Sequence, residues 1–185
     1  MQLDKAIKQR RSVRNFSNKK PNWKDIIECV DAARYAPMAG GMYTLNFIII
    51  DKPEIIEKLA IASQQNFVAD AQYVVAFITN PDKTKRAYPE RAERYLKHQE
   101  GAAIQNFLLK IVEKKLSTCW VEEFVDEQVD KILDLPASKY TVALFPIGYT
   151  LKKSKKEKEK INMDNILYFN NHGNKHLKVP KKSNA

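Results

Sequence analysis

Short apolar runs separated by helical patterns limit most strongly the folds open to this chain of 185 residues. The runs at 45–50 and 73–79 are rich in β-branched and aromatic side chains, and a proline follows each within three residues. Such runs are typical of buried strands. Two further strands are predicted at 118–121 and 140–149. Each run is far shorter than the ~20 apolar residues that a membrane span needs, so we expect a globular domain and no membrane partner.

Helical periodicity occupies the stretches between the strands. Asn22 is placed to cap a helix that begins near Trp23, and the apolar face of that helix recurs until Pro37 ends the pattern. The alternation of helices with apolar runs predicts an α+β fold, with a mostly antiparallel central sheet flanked by helices. The other helices are predicted at 54–62, from about 90 to 112, at 127–133 and at 163–169.

No internal repeat or linker divides the chain into comparable halves. We therefore predict a single domain over residues 1–173, whose last part, about 150–173, forms a C-terminal arm. Residues 174–185 are predicted to be a basic, flexible tail. The polar N-terminus lacks the apolar centre of a signal peptide, which favours a cytoplasmic location.

Much of the net charge of +10 comes from lysines in 152–160 and 174–185. Tracts rich in Lys and Glu are typical of solvated loops or tails. A basic nucleic-acid-binding protein without a cofactor is the alternative that this charge leaves open. The sequence has no zinc finger, aromatic RNA-binding motif or obvious helix-turn-helix pattern, so a nucleic-acid partner is not favoured.

The cysteines and histidines do not form a metal-binding pattern. Cys29 and Cys119 are far apart and each falls in an apolar stretch, which is typical of reduced core thiols. The histidines have no metal-ligand spacing relative to these cysteines. We therefore expect no metal site. The histidines are His98, His172 and His176.

A cluster of cationic side chains follows a short helical pattern near the start of the chain. Arg10 and Arg11 each carry a guanidinium, whose rigid fork of donors matches a phosphate face. In an extended exit from the helix, Ser12 and Arg14 would share one face because alternate residues do so. The segment therefore predicts a cradle for a phosphorylated cofactor, with a solvated basic turn as the alternative.

This segment and four later stretches, taken in order, resemble the FMN-dependent nitroreductases. The resemblance covers roughly residues 2–172, and it is specific through the order and spacing of motifs that are each weak alone. It implies the nitroreductase fold, FMN as cofactor and a homodimer with the flavin at the subunit interface. The later stretches are 33–41 running into 47–50, then 100–109, 117–124 and 143–149.

The resemblance also implies roles for individual residues at the flavin phosphate and sugar. Arg10 and Ser12 would hold the phosphate with help from Arg11, and Arg14 would lie at the ribityl and N1–O2 side. The C-terminal arm would bring Lys160 to the phosphate, with Lys158 behind it. In this family the flavin N5 carries the chemistry, so no catalytic side chain is predicted.

Two loops are implied to meet the flavin ring. The backbone of Glu122 and Glu123 would face N5. The other loop departs most from the family pattern over residues 38–45, where Gly41 and Tyr43 are predicted to face the substrate. The residues of this loop that would lie under the flavin are Pro37, Met38, Ala39 and Gly40.

The expected activity is that of an FMN-dependent oxidoreductase. Hydride from NAD(P)H would pass to flavin N5 and then, by a ping-pong mechanism, to an electron-poor acceptor of nitroaromatic or quinone type. The altered loop at 38–45 leaves open a specialised subfamily with other reductive or flavin-consuming chemistry.

Overall fold

Four strands pair antiparallel in the order β1-β2-β4-β3 and form the centre of the fold. The computed structural model describes residues 1–151 and 160–177. The first range lies in one compact unit and the second in another, and the two are described separately. The strands are β1 (Leu45–Ile50), β2 (Tyr73–Thr79), β3 (Ser117–Thr118) and β4 (Tyr140–Gly148).

Seven helices occur among the described residues. Asn22 caps α2, and its side chain accepts a hydrogen bond of 3.1 Å from the N–H of Lys24. Pro53 stands in the first turn of α3, where its missing N–H costs nothing. The helices are α1 (Leu3–Gln9), α2 (Trp23–Ala33), α3 (Pro53–Ala62), α4 (Asp82–Ala87), α5 (Ala92–Glu113), α6 (Asp126–Ile132) and α7 (Met163–Ile166).

The sheet has an apolar core on each face. Alternate residues of a strand point to opposite faces, so Phe77 packs with Phe107 of α5 on one side while Val74 packs with Leu59 of α3 on the other. The Phe77 ring lies 5.1 Å from that of Phe107 and 4.8 Å from that of Phe145, measured between centroids. Every residue of β2 is buried, since both of its faces are covered.

The segment that follows α1 is fastened along the sheet. The N–H of Val13 donates to the carbonyl of Thr118 at 2.9 Å, and the N–H of Ser17 donates to that of Tyr149 at 2.8 Å. Phe16 is buried against Gly148, where an added Cβ would come within 2.9 Å of the Phe16 ring. The cationic segment therefore has the extended conformation predicted for it and lies beside β3 and β4.

The α+β fold with an antiparallel sheet confirms the sequence prediction, and several boundaries correct it. Helix α4 was not predicted, because its only buried residue is Thr84 and it has no apolar periodicity. Strand β3 ends at Thr118, and Val121 makes a separate bridge to Leu144. The second helix ends at Ala33, earlier than the prediction that extended its pattern to Pro37.

Candidate functional site

Three side chains of the cationic segment lie near Cys119, the residue that follows β3. Burial raises the pKa of the Cys119 thiol, whereas nearby Arg14, Ser12 and Arg10 lower it. Ser12 also forms a parallel bridge with Thr118. The structure therefore brings three of the predicted phosphate and ribityl ligands to the start of the 119–123 segment.

Neither Arg10 nor Arg14 pairs with a carboxylate among the residues that the structure describes. Arg14 is exposed, and its guanidinium lies 5.7 Å from the centroid of the Phe67 ring. Two neighbouring cations without a protein counter-ion, next to the Ser12 hydroxyl, suit an anionic ligand such as a phosphate.

Arg11 points back along its own helix. Its Nη1 donates to the carbonyl of Lys8 at 2.7 Å and to that of Arg10 at 3.0 Å. These bonds satisfy carbonyls at the C-terminal end of α1, which lack partners within the helix. Arg11 therefore stabilises the turn, and its assistance to a phosphate stays a prediction.

The backbone of the 119–123 segment offers donors at its far end. Val121 and Leu144 exchange two backbone hydrogen bonds of 3.1 and 2.9 Å, which fixes the segment against β4. The carbonyl of Glu123 accepts from the side-chain amide of Gln65 at 3.2 Å. Within the described ranges, the N–H groups of Glu122 and Glu123 donate no hydrogen bond. Both residues are exposed, and backbone N–H groups without a protein acceptor suit a ligand that brings one.

The loop from Pro37 to Gly40 lines a cavity of about 440 Å³ beside α5. Gln99, only 3% exposed, holds this loop. Its Oε1 accepts from the N–H of Ala39 at 3.2 Å, and its Nε2 donates to Oγ1 of Thr44 at 2.7 Å. The cavity is lined by Pro37, Met38, Ala39, Gly40, Tyr88, Tyr95, His98 and Gln99.

Gly40 is required in this loop for two reasons. Its φ of +59° is a conformation that side chains with a Cβ rarely adopt. A Cβ there would also lie 2.7 Å from the Tyr88 hydroxyl. No local sequence signal marks the other residues that line this cavity, because they reach the loop only through the tertiary fold: Tyr88, Tyr95, His98 and Gln99.

Tyr43 lies apart from the Pro37–Gly40 cavity. It lines a second cavity, of about 710 Å³, together with Arg34 and Phe47. Burial raises the pKa of Tyr43, and Arg34 lowers it. Gly41 is exposed with a φ of +68°, and an added Cβ would meet nothing within 4 Å. The two residues predicted to face the substrate are therefore not brought into one cavity.

The remaining predicted ligands lie in the C-terminal region. Lys160 is exposed at the start of the second described range, and Lys158 lies outside the described residues. In that second unit, Asn162 caps α7 through a 3.1 Å bond from the N–H of Asp164, and the Lys175 ammonium donates to the Asp164 carbonyl. The phosphate contact expected from Lys160 stays a prediction.

Both cysteines are buried free thiols, as the sequence predicts. Burial raises the pKa of Cys29 to about 12. In residues 1–151 and 160–177 no group of three or more His, Cys, Asp or Glu side chains is placed to hold a metal ion. None of the helices in those ranges is long and apolar enough to cross a membrane.

The fold agrees with comparisons to known proteins. The model of the nitroreductase family matches residues 7–66 and 61–149, well over half of the chain. The chain therefore belongs to the nitroreductase family, a family of oxidoreductases. This finding confirms the family predicted from the sequence.

Individual relatives extend over most of the chain. A protein of Methanocaldococcus jannaschii named as a candidate nitroreductase is 25% identical over 182 aligned residues, covering 80% of this chain and 91% of the relative. The structure is similar to an FMN-dependent nitroreductase of Clostridium difficile, with a TM-score of 0.77, 20% identity and coverage of 90% and 98%. It is also similar to the NADPH:FMN oxidoreductase of Vibrio harveyi complexed with NAD⁺, with a TM-score of 0.79, 16% identity and coverage of 96% and 79%.

Proposed function

We propose that this protein is an FMN-dependent oxidoreductase that accepts hydride from NAD(P)H and passes it to an electron-poor acceptor. One observation carries the proposal. Arg10, Ser12 and Arg14 lie near Cys119 at one end of the 119–123 segment, and at its other end two backbone N–H groups have no acceptor among the described residues. Family membership and FMN-dependent structural neighbours support the same cofactor.

The residues present fit the parts of FMN that need a protein partner. Arg10 and Ser12 would bind the phosphate through charge-assisted hydrogen bonds. When bound, FMN supplies a ring that takes hydride at N5 and gains negative charge at N1–O2 on reduction. The Arg14 guanidinium would stabilise that charge, and the N–H groups of Glu122 and Glu123 would orient the ring edge at N5.

A homodimer would complete this site. The cavity at Pro37–Gly40 contains Gln99, whereas Trp120 and Glu122 line a different cavity with Glu100. Gln99 and Glu100 are consecutive residues of α5, so their side chains point in directions about 100° apart. The two cavities share no lining residue. The simplest way for both loops to contact one flavin ring is for each subunit to supply one of them.

Exposed apolar side chains offer a surface for the second copy. On α1, Leu3 is 65% exposed, and on α2 Trp23 is 52% exposed. Tyr35, just after α2, is 71% exposed. Leu3 and Tyr35 line one surface cavity. Exposed apolar side chains favour association, and a two-fold dimer would cover the same surface on both copies.

The proposal is tested by loading the full chain with FMN, removing free cofactor and adding NADH or NADPH without oxygen. We expect the flavin absorbance to bleach and to return when a nitroaromatic compound or a quinone is added. Bleaching without reoxidation by either acceptor would reject the acceptor class and favour the specialised alternative. A chain that cannot retain FMN would contradict the proposal.

A further inference from the structure

An acidic cavity of about 550 Å³ lies between α5, α6 and the start of β4. Acidic walls are unexpected in a chain with a net charge of +10. Of its charged side chains, Lys97 is paired with Glu93 at 2.7 Å, which leaves three further carboxyl groups. These carboxyl groups belong to Glu100, Glu122 and Asp126, and the wall also contains Trp120 and Tyr140.

Glu100 is the feature of this cavity that points to a ligand. It is only 6% exposed, and its Oε1 has no hydrogen-bond partner in the described ranges. The group within reach of this carboxyl is the Thr79 hydroxyl, which lowers the pKa of Glu100 as a hydrogen-bond donor, although the two do not meet strict hydrogen-bond geometry. Buried polar atoms nearly always have partners. Within the described ranges Glu100 forms no ion pair, so this carboxyl in a cavity wall suits a ligand that brings a donor or a positive charge.

Two aromatic rings form another part of the wall. Trp120 and Tyr140 are each 38% exposed, so both rings present a flat face or edge to a ligand. Aromatic faces attract cations as well as flat apolar groups. Nearby Asp130 does not contribute its charge freely, because its Oδ1 accepts from the N–H and the hydroxyl of Thr141 at 2.9 and 2.7 Å.

We propose that this cavity binds an aromatic cation, a flat ring that carries a fixed positive charge, with the charge beside Glu100 and the ring against Trp120. The inference deepens the proposed function and rests on it, since it names the class of electron acceptor. Trp120 and Glu122 belong to the segment proposed to face flavin N5. A positively charged ring is electron-poor, and it therefore suits a hydride acceptor.

The chemistry of such an acceptor balances without a further reactant. The cation A⁺ accepts one hydride, which is two electrons and one proton originally supplied by NAD(P)H, and becomes the neutral product AH. A new C–H bond would form on the ring while the bond that holds the hydride in its donor breaks, and the positive charge would disappear. Because the charge beside Glu100 is then lost, we expect the product to bind more weakly than the acceptor.

The proposal predicts the direction of a pH effect on binding. Burial, with a contribution from Glu122, raises the pKa of Glu100, so protons compete with a cation for this carboxylate. Affinity for the cation should rise with pH until Glu100 is ionised in the free protein. The other groups facing the cavity are Glu93 and Lys97 on α5, Glu122 on the 119–123 segment, Asp126 on α6 and Tyr140 on β4, whose pKa burial raises to about 12.

The chain provides its own fluorescent reporter. Trp23 and Trp120 are its two tryptophans, so Trp23→Phe leaves only the cavity tryptophan. The full chain as purified would be titrated with 1-methylnicotinamide, a cation, and with nicotinamide, its neutral counterpart. We expect both probes to quench the tryptophan fluorescence saturably. The cation should bind about tenfold more tightly than nicotinamide or better, because it gains a cation–π contact with Trp120 and the attraction of the Glu100 carboxylate.

Glu100→Gln and Glu127→Gln form a matched pair of variants in the Trp23→Phe background. Both remove one negative charge, but Glu127 is exposed on α6 and does not line the cavity. We expect Glu100→Gln to abolish the preference for the cation and the pH dependence, whereas Glu127→Gln keeps both. Equal quenching by the two probes, or an equal loss in both variants, would overturn the proposal.

Two further measurements keep the test decisive. The pH dependence of the parent protein needs no variant at Glu100, so a flat profile overturns the proposal even if Glu100→Gln does not fold. FMN binding and bleaching by NAD(P)H are measured separately. Normal flavin reduction without cation preference rejects the cavity proposal alone. Cation preference in a chain that cannot retain FMN rejects the proposed function and the acceptor role that rests on it, and leaves only a cation-binding site.

Discussion

Gln99 and Thr44 lie 55 residues apart in sequence and are joined by a buried hydrogen bond of 2.7 Å from Nε2 of Gln99 to Oγ1 of Thr44. The other end of the same amide accepts from the N–H of Ala39. One side chain of α5 therefore holds both ends of the loop that carries Pro37–Gly40. The position of this loop depends on the amide of a single glutamine.

Replacing Gln99 with alanine should destabilise the fold by about 2–4 kcal/mol, since it leaves two protein groups without a partner. Gln105 is an exposed glutamine on the same helix and provides the matched control. Urea unfolding should show a lower midpoint for Gln99→Ala and almost no change for Gln105→Ala. Similar midpoints for the two variants would show that the amide does not hold the loop.

Replacement by alanine should lower the stability of the fold at Gly148 and raise it at Gly101. At Gly148 an added Cβ would lie 2.9 Å from Cδ1 of Phe16, so that ring and the cationic segment beside it must shift. We expect a destabilisation of about 1–3 kcal/mol, which is typical of overpacking, together with weaker FMN binding.

At Gly101 a Cβ would meet nothing within 4 Å, and the residue lies inside α5. Alanine should therefore stabilise this position by about 0.5–1 kcal/mol, because glycine is a poor helix former. Thermal unfolding of the two variants measures whether each substitution lowers or raises the stability. A stable Gly148→Ala protein with normal FMN affinity would mean that Phe16 does not position the cationic segment.

Stability should change with pH through Glu100. Burial raises the pKa of this carboxyl above its ordinary value of 4.5, so the folded state binds more protons than the unfolded state above that pH. The resulting contribution to the free energy of unfolding is largest in acid and is lost as pH rises through the folded pKa. Glu100→Gln should therefore gain stability relative to the parent as pH rises.

Urea unfolding of the parent, Glu100→Gln and Glu127→Gln at about pH 5 and about pH 8 would measure this difference, since the interval begins just above the ordinary carboxyl range. Glu127→Gln controls for the change in net charge and should follow the parent. If Glu100→Gln gained more stability over the parent at the lower pH than at the higher pH, burial would not destabilise the ionised form of Glu100.

The central strands were predictable because their signal is local. The runs at 45–50 and 73–79 became β1 and β2 with the same bounds, since a buried strand needs a continuous apolar run and prolines end each run. Helix α4 has no such signal. Its charged residues face solvent and only Thr84 is buried, so the sequence gives no apolar period to detect.

The candidate site was predictable only in part, for a related reason. The cationic segment has a local pattern, and its extended course beside Thr118 follows from that pattern and the neighbouring strand. Gln99 resembles any polar residue on a long helix until the fold brings Ala39 and Thr44 to it. The acidic cavity likewise depends on Glu100 and Tyr140, which come from distant parts of the chain.

The most direct test of the central claim compares the binding of FMN with that of riboflavin, which lacks the phosphate. FMN should bind at least about tenfold more tightly, because hydrogen bonds to a charged group contribute roughly 1.5–3 kcal/mol. Arg10→Ala should remove most of this difference, whereas the exposed control Arg86→Ala on α4 should keep it. Equal affinity for the two flavins in the parent protein, or an equal loss in both variants, would contradict a phosphate site at Arg10 and Ser12.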